Sequence, residues 1–235
     1  MQDLPEGPEE TELTSEQAVA QLSSSVELMN FSPLQQQKVQ EIKDKLSCSA
    51  LYSGVGIVIV DEPLVIERSL EGLEYNIISV DDSVIDFKTA FTTIAESRAY
   101  PESPAAAGSP PFVIAVFVSR WTTGSVDIVD DIIKPFLPQS APHLVHIPKL
   151  FFISSSSRRL LLPDDKDGNY LIAHCVTDDV DDWLSHIARR ICHSNQSVQD
   201  IVEQSRSPLL LFHPAFGIEH LEVYCCLKDD LVLRK

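Results

Sequence analysis

The chain has 235 residues, of which 44% are apolar, enough for a substantial core. A formal charge of −17 argues against a nucleic-acid or anionic-membrane surface, since both are polyanions, and suits either a basic protein partner or plain solubility. No apolar run approaches the roughly 20 residues that span a bilayer, and Met1–Glu16 has neither the basic start nor the apolar stretch of a signal peptide.

No lysine or arginine precedes Lys38, and Ser23-Ser24-Ser25 adds polarity, so residues 1–32 read as a disordered acidic tail. Leu34, Val39, Ile42 and Leu46 fall near a helical stripe and predict a short helix and linker over 33–49. The folded domain is expected over 50–235. It opens with Val55–Asp61, a continuous β-branched run of the kind found in a central parallel strand. Tyr75–Val80 reads as a second strand. Asp82–Glu96 reads as a helix, with Val84, Phe87, Phe91 and Ile94 on one face and Asp81, Asp82 or Ser83 as its cap.

A Pro/Ala/Gly/Ser loop, Pro101–Pro111, leads into the strand Phe112–Val118. Asp127–Leu137 reads as a helix weakened near its end by Pro135 and halted by Pro138. Leu150–Ile153 is a buried strand that ends in four serines, Ser154–Ser157, and Arg158-Arg159; the serine run reads as a solvated strand end. Tyr170–Cys175 is a strand, Asp181–Cys192 and Val198–Gln204 are helices, Leu209–Phe212 is a short apolar segment, and Leu221–Leu227 is a terminal strand. Strands alternating with helices predict an α/β sandwich with a mostly parallel sheet. Cys48, Cys175, Cys192, Cys225 and Cys226 have no metal-ligand spacing and read as reduced thiols of an intracellular, cytoplasmic protein. No cofactor, metal, nucleic-acid or membrane partner is expected.

Several segments carry a family resemblance. Lys149-Leu-Phe-Phe-Ile-Ser-Ser-Ser resembles the Lys-Leu-Phe-Ile-Ile strand that leads into Gln-Ala-Cys-Arg-Gly in caspases. Phe112–Gly124 resembles the strand ending in Ser-His-Gly, and Gly168-Asn-Tyr-Leu-Ile-Ala173 resembles the start of the small subunit. Cys225-Cys226-Leu-Lys-Asp-Asp-Leu231 resembles the closing strand. The resemblance implies a caspase-like three-layer sandwich with a central sheet of about six strands and helices on both faces. Residues 50–160 would correspond to the large subunit and 168–235 to the small one.

The resemblance also implies missing chemistry. Ser156 stands at the position of the nucleophilic cysteine, Ser154 at that of the preceding glutamine, and Arg120 at that of the histidine base. An arginine stays protonated and cannot act as a general base, and an unactivated serine hydroxyl is a poor nucleophile. Where the family places a substrate-binding arginine, this chain has Asp178, Asp179, Asp181 and Asp182. These carboxylates repel a substrate aspartate, and Arg68 is the remaining candidate for a pocket cation. The acidic cluster lacks the alternating oxygens and glycine of a calcium loop and reads as a solvated loop capping the following helix. Trp121 reads equally as an exposed anchor or as a plug for the vacant pocket.

The expectation is a catalytically inactive caspase homologue that regulates an active caspase, in apoptosis or related signalling, by pairing with it or another caspase-like protein through its closing strand, with a homodimer also open. Leu221, Val223, Cys225 and Leu227 are the strand candidates, since a terminal strand is a template for pairing. One alternative is an adaptor or structural subunit acting through its acidic tail. The other is a serine hydrolase using Ser156 with His143, His146 or His174, although no Gly-x-Ser-x-Gly elbow is present. His174 itself reads as a hydrogen-bonded strand-end residue.

Overall fold

The computed structural model describes residues 31–60, 63–80, 84–102, 111–119, 127–155, 168–177, 180–205 and 218–233. Lys38–Lys235 form one compact unit and Met1–Gln37 another. Of the second unit the described part opens helix α1 (Pro33–Ser47), which a capping box starts. The Ser32 hydroxyl accepts from the Gln35 N–H (3.3 Å), and the Gln35 side-chain oxygen accepts from the Ser32 N–H (2.9 Å). Val39, Ile42 and Leu46 are buried, whereas Leu34, expected on the same stripe, is exposed.

The sheet has six strands in the order β2-β1-β3-β4-β5-β6. They are β1 (Gly54–Ile59), β2 (Tyr75–Ser79), β3 (Val113–Ser119), β4 (Lys149–Ser155), β5 (Tyr170–Thr177) and β6 (Ile218–Cys225). The first five run parallel and β6 is antiparallel to β5. Every residue of β1, β3 and β4 is buried, which is why these strands read as unbroken apolar runs rather than alternating ones. β1 packs so closely that a side chain at Gly54 has no room. A Cβ on Gly54 would collide with the Val113 carbonyl oxygen, and one on Gly56 would lie 2.5 Å from Leu70 Cδ1.

Helices cover both faces. One face, carrying Phe117, Leu150, Phe152, Ala173 and Cys175, packs against α2 (Leu64–Gly72), α4 (Val180–His193) and α5 (Val198–Ser205). On it the Phe117 and Phe152 rings stack at 5.0 Å. The other face meets α3 (Phe87–Ala95) and the turns after it, where Phe136 lies edge-on to both Phe91 and Phe151. The end of α1 reaches this same face, its Lys45 carbonyl accepting from Asn76 Nδ2 (2.7 Å).

Several elements differ from the sequence expectation. Helix α2 was not anticipated. Helix α3 starts at Phe87 rather than Asp82, because the Asp86 carboxylate accepts from the Thr89 N–H (2.8 Å) and sets the cap there. The segment after Asp127 is a π-helical turn, Ile128–Ile133, followed by a 3₁₀ turn, Lys134–Phe136, rather than one α-helix. Pro135 has no N–H to return to residue 131, so an α-helical ladder cannot continue through it. Asn169 enters β5 with φ of 45°, a conformation asparagine tolerates. Its side chain donates to the His146 carbonyl (3.1 Å) and accepts from the Lys228 N–H (3.4 Å), joining the approaches to β4, β5 and the end of β6. Leu209–Phe212 lies outside the described residues.

Candidate functional site

Three parallel strands finish side by side at one edge of the sheet, β4 and β5 running slightly past β3. Ser119 of β3 pairs in register with Ser154 of β4, Ser154 with Cys175 of β5, and Cys175 with Leu221 of β6. This is the carboxyl edge of the sheet, where α/β proteins present working side chains. Ser154 is fully buried, so the serine run does not begin as a solvated strand end. The Ser119 and Ser154 hydroxyls are both buried without a hydrogen-bond partner among the described residues. Burial pushes the neighbouring Cys175 thiol up to about 12, which keeps it protonated and unreactive at neutral pH. Arg120, Trp121, Ser156, Asp178 and Asp179 lie outside the described residues. Asp181 and Asp182 fall in the first turn of α4, and Arg68 is exposed on α2.

Strand alternation separates Ser155 from Ser154 and turns it to the opposite sheet face. There the Ser155 hydroxyl lies 2.8 Å from His174 Nε2, both residues fully or almost fully buried. His174 pairs in register with Glu222 of β6, and its Nδ1 stands 3.8 Å from a Glu222 carboxylate oxygen. That distance is too long for a hydrogen bond, and His174 Nδ1 has no other partner among the described residues. Glu222 is in turn 3.2 Å from His220 Nε2 and accepts from the Tyr224 hydroxyl (3.4 Å). Burial lowers the His174 pKa; the Glu222 carboxylate works against that shift and His220 adds to it.

The chemical parts of a nucleophile, a base and an orienting carboxylate are therefore adjacent. Ser155 is closed to solvent, however, and the carboxylate does not hold the imidazole. His174 is a buried mid-strand residue, not one at a strand end. His143 and His146 serve elsewhere: their Nε2 atoms lie 3.2 Å from the Ser97 carbonyl and 2.8 Å from the Pro101 carbonyl. Ser155 and Glu222 were not singled out from the sequence. The available signal was parity, since Ser155, His174 and Glu222 share a face once the three strands are paired.

The second feature is the outer edge of β6. The Cys226 N–H donates to the Tyr170 carbonyl (2.8 Å), in the same register that pairs Ile172 with Tyr224 and His174 with Glu222. In an antiparallel ladder such pairs alternate with pairs whose backbone groups point away. Even-numbered residues of β6 therefore bond to β5, and Leu221, Val223 and Cys225 turn their N–H and C=O groups to the edge that has no neighbour among the described strands. Their side chains face the other way from Glu222: Leu221 is buried in the core, Val223 packs against it, and Cys225 is exposed. Leu227 lies beyond the end of the strand and also packs against the core. What β6 offers a partner is chiefly backbone.

Among the described residues no helix is long and apolar enough to cross a membrane. No protein-family model matches the chain, and no curated protein matches it. Solved structures do. The crystal structure of drICE is similar over 77% of this chain and 94% of its own, at 15% identity and a TM-score of 0.50. The structure of pro-sf-caspase-1 is similar over 76% of this chain and 93% of its own, at 13% identity and a TM-score of 0.50. At such identities the likeness concerns architecture alone. With its mostly parallel six-stranded sheet between two helical layers, this chain has a caspase-like fold.

Proposed function

We propose that the chain is a caspase-like protein without catalytic activity that regulates an active caspase by pairing with it through β6. The observation that carries this reading is the edge of β6, with the backbone groups of Leu221, Val223 and Cys225 directed outward. It is supported by the sequence, which has Arg120 and Ser156 where the base and nucleophile of the family would stand. The setting is the cytoplasm, and the acidic surface suits a basic partner. The test is co-purification from cells followed by titration of the purified chain into active caspases. Failure to associate with any caspase or to change its rate would end the proposal. If deleting residues 1–32 abolished binding while β6 substitutions did not, an adaptor acting through its tail would replace it.

A second reading, an altered serine hydrolase, draws on the 2.8 Å contact of Ser155 with His174. It moves the candidate nucleophile from Ser156 to Ser155. A fluorophosphonate probe that labels either serine in the native protein would support it, and absence of labelling would remove it.

A further inference from the structure

We propose that His174 is an acid-sensitive latch holding the closing strand to the sheet. The imidazole lies fully buried between β4 and β6, with Ser155 on one side and Glu222 on the other. Among the described residues the polar groups facing it are the Ser155 hydroxyl from β4 and the Glu222 carboxylate, with His220 and Tyr224 beside that carboxylate on β6. Among the described strands, the one bonded to β5 on that side is β6, the last in the sheet. A neutral ring suits this place. A charged ring would need water or a closed ion pair, and Glu222 is set back at 3.8 Å.

The direction follows from linkage. Burial, the dominant influence, lowers the His174 pKa in the closed sheet, so the open strand binds the proton more tightly than the closed one. The contribution to closure is complete above the ordinary histidine value and is lost as pH falls through and below it. Acid therefore loosens β6 from β5. Because β6 is also the strand put forward for partner binding, the consequence for partners rests on that reading. The latch itself does not.

Amide hydrogen exchange on the full chain alone tests it, the wild type being compared with a His174→Gln variant. Between pH 7.5 and 5.5 the opening equilibrium of β6 in the wild type should rise, relative to that in His174→Gln, by up to about tenfold, the most that one group with an ordinary value near 6.5 can supply. His174→Gln, which can still bond Ser155 but cannot titrate, should remove this pH dependence, and intact β3 protection would show that the variant is folded. Glu222→Gln removes the carboxylate that favours the charged ring and should enlarge the acid opening. A wild-type β6 response no larger than that of His174→Gln would overturn the proposal. A wild-type response without capture of any caspase would uphold the latch and count only against the pairing reading.

Discussion

Proline placed at two adjacent positions of β6 separates the edge from the ladder. At Val223 the N–H points away from β5, so Val223→Pro removes no internal hydrogen bond. Proline is tolerated on edge strands for that reason. At Glu222 the N–H points toward His174, so Glu222→Pro removes a ladder bond and leaves a buried carbonyl without its donor. That defect costs about 1–3 kcal/mol. For a domain of this size it lowers the melting temperature by about 2–4 °C per kcal/mol. If a partner strand docks on the edge, Val223→Pro leaves a partner carbonyl unsatisfied instead. The same magnitude then appears as binding, roughly 5- to 150-fold in Kd. Calorimetric melting and titration against the captured caspase read the two effects separately. Val223→Pro should bind poorly with near-normal stability, and Glu222→Pro should lose stability. A Val223→Pro variant that is equally stable and binds as the wild type would refute pairing through β6.

Three further outcomes follow from the packing. Gly54→Ala drives a Cβ into the Val113 carbonyl oxygen, backbone that cannot move aside, and against the Tyr75 ring, and should destabilise by about 1–3 kcal/mol in chemical denaturation. Phe152→Ala empties a fully buried site stacked on Phe117 and should cost about 3–5 kcal/mol, whereas Tyr224→Ala, at an exposed position, should stay within about 0.5 kcal/mol of wild type. Native thiol labelling should reach Cys48 and Cys225 quickly. Cys175 and Cys192, both buried, should react only after unfolding, and rapid labelling of Cys175 would contradict its burial and raised pKa.

The strands were the most legible part of the fold, for a physical reason. A parallel strand covered by helices on both sides must be apolar at every position, and Val55–Ile59 and Val113–Val118 show that without interruption. Helix α2 is faint in the sequence because its buried stripe is only Ile66, Ser69 and Leu70, interleaved with Glu67, Arg68 and Glu71. Its apolar signal is weaker than that of α3, which buries Phe87, Ala90, Phe91, Ile94 and Ala95. The start of α3 is ambiguous in the sequence because four of the residues from 81 to 86 can cap a helix, and composition does not say which carboxylate reaches an N–H three residues on. Only the Asp86 to Thr89 contact decides it.

At the strand ends, composition misled in a different way. Serine is usually exposed, so the sequence pattern ends β4 at Ile153, yet β3 and β5 extend to Ser119 and Thr177 and their ladders draw Ser154 and Ser155 into the sheet. Alignment to a family motif then assigns roles by position along the chain and directs attention to Ser156. The side chain that meets a histidine is Ser155, because alternation, not motif position, decides which face each serine occupies. The same alternation works on β6. The side chains of Leu221 and Val223, two of the residues expected on the pairing strand, pack in and against this chain's own core. Their backbone faces outward instead. Apolar side chains at these positions therefore serve the edge indirectly, by anchoring β6 so that its free N–H and C=O groups are held in line. Replacing Leu221 by alanine should thus weaken β6 protection in hydrogen exchange before it alters any partner contact, and a variant with normal exchange but lost binding would show that the side chain itself is read.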